Sequence, residues 1–268
     1  MQKLIQTIKH LMLKKQTLPF SVYSSVKEQQ IFNVPVIKPL LICILDGCKK
    51  LGHQGEVDCP PGSFIFLSNS PNIDMRNIPT DNEYIALLIE FDDKDFDCFA
   101  HQTHNSESHF QGIIEITLKS TLQQFVEWSA FASPDIWHIR RQEILQTLFH
   151  LGYQEVCGAM TSPSISHRLH TLISKNIAAN VGVSQLASTL AMSESTLRRK
   201  LQDEATSVQS IKENVRLGHG LHLVQSSNTS IGHIAEQCGY SSQSRFTDKF
   251  KQLFGTTPTE LRKTKLHD

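Results

Sequence analysis

Residues 229–255 read TSIGHIAEQCGYSSQSRFTDKFKQLFG, and residues 181–202 read VGVSQLASTLAMSESTLRRKLQ. Aligning Ile234-Ala235 with Leu186-Ala187 brings Ser241 against Ser193, so one plan occurs twice. In each copy a helix with an apolar-Ala pair ends at a short turn, and a Ser-rich cap opens a second helix bearing basic residues. That is the helix-turn-helix pattern. Ala187 and Ala235 fit it because two helices that cross steeply in so short a unit need a thin side chain at the contact. Gly239 supplies the turn that stops its helix. Leu197, Leu201, Phe246 and Phe250 fall at helical spacing and belong to the core.

Between the copies, VQSIKENVRLGHGLHLVQ (208–225) sets Val208, Ile211, Val215, Leu221 and Val224 near helical spacing. Such a helix is roughly 27 Å long. It can hold two second helices for successive major-groove segments, which lie about 34 Å apart on one side of B-DNA. Gly218 and Gly220 interrupt it at roughly 1 kcal/mol each relative to Ala, so a bent or less rigid spacer is expected. After the second copy, Thr257-Pro258-Thr259-Glu260 is a capping box with Pro at the first helical position and predicts a short final helix.

The 268 residues carry no net charge, but the average hides an asymmetry. Residues 1–164 hold 13 Lys and Arg against 18 Asp and Glu, a net of −5; residues 165–268 hold 13 against 8, a net of +5. An acidic half joined to a basic one assigns phosphate contact to the second half. With 39% hydrophobic and 19% charged residues the chain is neither a disordered acidic polymer nor a coiled-coil rod. The longest nearly unbroken apolar run, Pro39 to Leu45, falls far short of the roughly 20 residues needed to span a bilayer. Lysines scattered through the first 18 residues leave no secretion signal, and six cysteines without C-x-x-C pairing fit reduced thiols, so a cytoplasmic protein is expected.

The acidic half reads as strands, then helices. PFSVYSSV, QIFNVPV, PLLICIL, SFIFL and EYIALLIEF are punctuated by turn residues, which predicts an antiparallel sandwich or barrel with an interior. Asp46-Gly47 reads as a hairpin pair and Pro61-Gly62 as a tight turn before the next strand. Leu118, Leu122, Phe125 and Val126, then Ile136, Ile139, Ile144, Leu148 and Leu151, follow helical spacing. Ser133-Pro134 separates these two helices, as N-cap and first helical residue. Their faces exceed what a small barrel needs, so a homodimer is expected. Leu4, Ile5, Ile8, Leu11 and Met12 mark a short amphipathic helix at the start. GYQEVCGAMTSPSIS (152–166) loses periodicity and reads as a linker between a domain at 1–160 and one at 166–268.

The tandem motif, its spacer and the ending GYSSQSRFTDKFKQLFGTTPTELR resemble the DNA-binding domain of AraC-type (AraC/XylS family) transcriptional regulators over roughly residues 166–263. Ile231, Ile234-Ala235, Gly239-Tyr240, Ser241, Phe246, Phe250-Lys251, Phe254-Gly255, Thr257-Pro258 and Arg262 carry the likeness. More loosely, the first half resembles the cupin-like barrel-plus-helices sensing domains joined to such regulators. The resemblance implies an α+β chain: an N-terminal β-barrel (cupin-like) with helices for sensing and dimerisation, then an all-α domain whose two helix-turn-helix motifs are joined by a linker helix. It implies double-stranded DNA and RNA polymerase as partners, and no cofactor. Residue by residue it assigns DNA contact to Ser195, Arg198 and Arg199 in the first motif and to Gln243, Ser244 and Arg245 in the second. Arg can grip guanine O6 and N7, Gln can do the same for adenine, and Ser usually meets phosphate. Asp248 and Ala205 depart from the family pattern, at a phosphate-facing position and at a usual helix-ending Gly.

Other constellations carry less. His53, His101, His104 and His109 invite a metal site but read as a polar loop without a carboxylate pattern. Cys43, Cys48 and Cys59 are thiol-sensor candidates that need exposure and a lowered pKa. Asp92, Asp93, Asp95 and Asp97 read as a solvated helix start rather than a calcium loop. No G-x-S-x-G, H-E-x-x-H or phosphate-loop pattern supports an enzyme with an appended DNA-binding domain. Inward Ile, Leu, Phe and Cys side chains favour a small apolar or amphipathic effector over a sugar, against the alternatives of a barrel filled by its own side chains and a regulator governed by abundance or a protein partner.

Overall fold

Strands whose two faces are both apolar sit in the middle of the N-terminal half, because each must satisfy a core on either side. The computed structural model describes residues 1–14, 17–68, 72–81, 83–99, 108–160, 164–179 and 181–265. Among them are β1 (Ser21–Ser25), β2 (Gln29–Val34), β3 (Leu40–Asp46), β4 (Cys48–Leu51), β5 (Val57–Cys59), β6 (Ser63–Leu67), β7 (Ile73–Ile78), β8 (Tyr84–Glu90) and β9 (His109–Ile113). Antiparallel pairing orders them β1-β8-β3-β6-β9 in one sheet and β2-β7-β4-β5 in the other. Alternate residues of the central strands divide between two cores, as a side-chain period of two requires. Ile42, Ile44, Ile65, Leu67, Ala86 and Leu88 meet Leu51, Cys59 and Met75 of the second sheet. Their neighbours Leu41, Cys43, Phe64, Phe66, Leu87 and Ile89 face α1 (Gln2–Met12), α2 (Ile116–Trp128) and α3 (Trp137–His150).

The sheets form an open cupin-like sandwich, not a closed barrel. Asp46-Gly47 is not a hairpin: β3 and β4 lie in different sheets, and Gly47 at φ 72° turns the chain from one to the other. A Cβ on Gly47 would stand 2.7 Å from the Ile78 carbonyl oxygen, so the corner needs glycine for space as well as for φ. Strands β4, β5, β7 and β9 carry too few apolar residues to announce themselves. Of the helix faces expected to meet a second copy, Leu118, Leu122, Phe125, Val126, Ile144 and Leu148 are buried within the chain, whereas Ile136 and Ile139 are not. Ile113, Ile116, Phe131, Ile136 and Ile139 remain exposed instead. Ser133 and Pro134 do stand at N-cap and first position, but of a 3-10 turn, Pro134–Ile136, that precedes α3.

Two polar readings change. Asp95 is 0% exposed, and Arg141 of α3 donates to it from Nε at 2.6 Å while its Nη2 lies 3.0 Å from Asp92. The acidic run is therefore in part a buried clamp between α3 and the 3-10 helix Asp93–Phe99, not a solvated helix start. The first part of the expected linker is ordered too: Gln154–Met160 is a 3-10 helix whose Val156 and Ala159 enter the sandwich core.

The C-terminal half folds as α4 (Ile165–Ser174), α5 (Val183–Thr189), α6 (Glu194–Asp203), α7 (Val208–Ser226), α8 (Ile231–Gln237), α9 (Gln243–Phe254) and α10 (Pro258–Arg262). Leu169, Leu186, Ala187, Leu197, Leu201 and Ile211 close the first motif's core; Leu221, Ile234, Ala235, Phe246, Phe250 and Phe254 close the second's. Helix α7 runs 19 residues without a break, about 28 Å. Its glycines do not mark an interruption. A Cβ on Gly220 would stand 2.7 Å from the Phe246 ring and one on Gly218 3.0 Å from Pro35, so both allow close approach, the first by α9 and the second by the loop after β2. Ala191 and Ala205 adopt φ 56° and 52°, where the second motif places Gly239 and Gly255 at its turns. Each such alanine costs roughly 1–2 kcal/mol, so the first motif is the more strained of the two.

Candidate nucleic-acid interface and interdomain cavity

Each second helix starts on a serine side chain. Ser193 Oγ accepts from the Thr196 amide at 3.1 Å, and Ser242 Oγ accepts from the Arg245 amide at 3.3 Å. Capping thus pairs Ser193 with Ser242, one residue along from the Ser193–Ser241 alignment, and buried Leu197 and Leu201 then fall on Phe246 and Phe250. Arg199 corresponds to Asp248 and Arg245 to Thr196, so the two helices present different chemistry at equivalent positions. Ser195, Arg198 and Arg199 are exposed on α6, and Gln243, Ser244 and Arg245 are exposed in the first turn of α9. Arg198 Nη2 lies 3.6 Å from Glu194, within loose ion-pair range.

Not every basic residue of this half is available to phosphate. Lys212 donates to the Val181 carbonyl and Arg216 to that of Ile177, pinning the approach to α5 onto α7. Arg262 donates to the Thr229 carbonyl at 2.6 Å and ties α10 to the start of α8. Lys249 pairs with Glu213 at 3.2 Å. Lys200 and Lys251 are exposed, on α6 and α9.

The weaker constellations separate. His101 and His104 lie outside the described residues, His109 is on β9, and His53 stands 3.2 Å from Asp74. Burial raises the thiol pKa of Cys43, and that of Cys59 to about 11, so neither is a ready thiolate.

A cavity of about 800 Å³ runs from between the sheets to helices α4 and α7. Ile42, Met75, Leu88 and Leu221 give it apolar walls, and Lys49 and Asn77 stand among them. His167 and His170 of α4 and His219 and His222 of α7 also line it. Burial lowers the pKa of all four, that of His170 to about 3, so they are neutral imidazoles at pH 7. The reading from sequence missed this group, although each pair has i, i+3 spacing (HRLH and HGLH), which puts two imidazoles on one helix face.

The halves are bound into each other around this cavity. Ile31 of β2 packs into the second motif's core, and Phe32 approaches Gly255. Asn33 Nδ2 donates to the Leu253 carbonyl at 3.1 Å, and the Val26 amide donates to that of Thr264 at 2.8 Å. The Tyr23 hydroxyl is 3.3 Å from His222 Nδ1.

Residues 186–264, which hold two helix-turn-helix units joined by one continuous helix, match the family described as a helix-turn-helix domain. The chain is similar to the HTH-type transcriptional regulator GadX of Escherichia coli (strain K12), 37% identical over 100 residues that make up 37% of this chain and 36% of that protein. It is similar to the HTH-type transcriptional regulator YdeO of Shigella flexneri, 32% identical over 100 residues, 37% of this chain and 39% of that one. The matched stretch thus spans less than two-fifths of these relatives. Over most of its length the chain is similar in fold to ToxT from Vibrio cholerae. The unsaturated-fatty-acid-bound ToxT structure gives a TM-score of 0.67 at 17% identity, covering 92% of this chain and 95% of that one. Among the described residues no helix is long and apolar enough to cross a membrane.

Proposed function

We propose that this chain is a sequence-specific regulator of transcription that binds double-stranded DNA through α6 and α9 and takes a small apolar or amphipathic effector into the cavity. The observation that carries the reading is the placement of that cavity: its walls come from the sandwich and from α7, the helix that joins the two DNA-reading units. A molecule bound there touches both halves and can bias how they are held. ToxT, which shares the fold, has been solved with an unsaturated fatty acid bound, which supports an amphipathic effector here.

In this reading residues 1–160 sense and dimerise, and residues 166–268 bind DNA. Ser195, Arg198, Arg199, Gln243, Ser244 and Arg245 meet the duplex, with the arginines and Gln243 at base edges and the serines at phosphate. Lys200 and Lys251 add phosphate contacts. RNA polymerase is the partner on DNA, the exposed Ile113, Ile116, Phe131, Ile136 and Ile139 are where a second copy docks, and the protein acts in the cytoplasm without catalysing a reaction. The cavity favours the effector over control by abundance alone.

Selection of bound duplexes from a random pool by the full chain, repeated at rising salt, tests the core of this proposal. An enriched sequence, with log affinity falling linearly in log salt, is the expected result; no enrichment overturns sequence-specific reading.

A further inference from the structure

The two helix-turn-helix units touch each other directly as well as through α7. The chain between α4 and α5 lies over the middle of α7, where Lys212 Nζ donates to the Val181 carbonyl at 2.5 Å. One turn on, Arg216 Nε donates to the Ile177 carbonyl at 3.3 Å and its Nη2 lies 3.5 Å from that of Ala179. The same stretch meets the turn of the second unit: a Cβ on Gly239 would stand 3.2 Å from Ala178 Cα and 3.3 Å from the Arg216 guanidinium carbon. Beside Lys212, Glu213 of α7 pairs with Lys249 of α9 at 3.2 Å. Lys212, Glu213 and Arg216 are all half-buried. Arg216 thus stands where α7, the approach to α5 and the turn before α9 converge. Its bonds and that of Lys212 are charge-assisted and go to carbonyls outside any helix, which ties an irregular segment of the first unit to the joining helix. Long helices bend, and glycines are favoured places for it, so α7 with Gly218 and Gly220 would by itself hold its two ends loosely. A contact off the helix axis removes that freedom.

The geometry points to Arg216 and Lys212 as positioning residues for DNA recognition: the seam they make between the two units fixes the separation and relative rotation of α6 and α9. The chain is therefore selective for the number of base pairs between its two half-sites. This rests on the DNA-binding reading above and adds a specificity that neither α6 nor α9 carries by itself. One inserted base pair moves the second half-site by about 3.4 Å and turns it by about 35° around the duplex axis. Two helices held in one arrangement can follow that change only if the DNA deforms. Neither residue has to touch the duplex for this, because both side chains are engaged with carbonyls of the first unit.

The test is binding of the full chain, as wild type, Arg216→Met and Lys212→Met, to the operator obtained by selection and to versions with one base pair inserted or removed between the half-sites, all at one salt concentration. Wild type should lose at least about tenfold in affinity at either altered spacing, and the variants no more than about threefold. A relaxed ratio in one variant alone assigns the seam to that residue, and Lys212→Met carries the comparison if Arg216→Met does not fold. Weaker binding at every spacing with the wild-type ratio kept in both variants would leave these residues a purely structural role and overturn the inference. A wild type that binds all three spacings alike also overturns it, and that comparison needs no variant to fold. So does a selected operator with a single half-site. If no operator is enriched at all, it is the DNA-binding reading that fails.

Discussion

Gln29 of β2 and Gln225 of α7 meet as buried side-chain amides, with Gln225 Nε2 donating to Gln29 Oε1 at 3.0 Å across 196 residues of chain. Gln29 Nε2 also donates to Thr264 Oγ1 at 2.7 Å, just past α10. The pair is a buried polar contact of a junction where Ile31 sits in the second motif's core and Asn33 and Val26 add further hydrogen bonds. Gln225→Leu removes one of two partners from each amide group of Gln29, which keeps Asn77 and Thr264, and should lower unfolding free energy by about 0.5–1.5 kcal/mol. The double variant Gln29→Leu/Gln225→Leu should lose less than the sum of the singles, as urea unfolding of all four proteins would reveal. Strict additivity would mean that the two amides do not act together.

Arg199 and Arg245 lie on different helices, α6 and α9. Alanine at either should weaken specific DNA binding by about 1–3 kcal/mol if the lost contact is bidentate to a base. Footprinting both variants on one operator should show protection lost in patches about one helical turn apart. Overlapping losses would contradict docking of both helices from one chain.

Gly220 faces the Phe246 ring with no room for a methyl, so Gly220→Ala should destabilise the chain by about 1–3 kcal/mol despite the better helix propensity of alanine. Gly182 is the N-cap of α5 with nothing within 4 Å of its missing Cβ, and Gly182→Ala should cost less than about 1 kcal/mol. Thermal midpoints of the two variants would separate close packing from propensity. Equal effects would argue against the contact.

The four cavity histidines give stability a defined pH dependence. Their folded-state pKa values are lowered, so the unfolded chain takes up protons first, near pH 6.5, while the folded chain resists. The contribution is full above pH 6.5 and is lost as pH falls below it, at a slope approaching roughly 1.4 kcal/mol per pH unit from His170 alone until its folded pKa of about 3. Urea midpoints at pH 7.5 and 5.5 should drop for wild type and drop less for His170→Gln. An identical drop in both would assign the effect to other groups.

The sequence by itself determined the elements that are made locally. Ser193, Ser242 and the Thr257–Glu260 box cap helices within a few residues of themselves, and Leu197, Leu201, Phe246 and Phe250 fix which face is buried by their spacing alone. Strands β3, β6 and β8 were legible because two cores demand continuous apolar runs, whereas CKKL and IDMRNI, with one face in contact with polar groups or solvent, carry no such signal. Tertiary structure decided everything that depends on what lies opposite. It turned Asp46-Gly47 from a hairpin into a corner, because β3 pairs with β8 and β6 and not with β4. Gly218 and Gly220 became contact points when Pro35 and Phe246 arrived from far along the chain. The same holds for charge: Asp95 and Lys49 look alike in sequence, as charged residues in polar surroundings, yet one is buried against Arg141 and the other is buried against the neutral amide of Asn77. Spacing along a chain encodes the periodicity of its own helix or strand, but the desolvation and pairing of a charge are set by neighbours that only folding brings near.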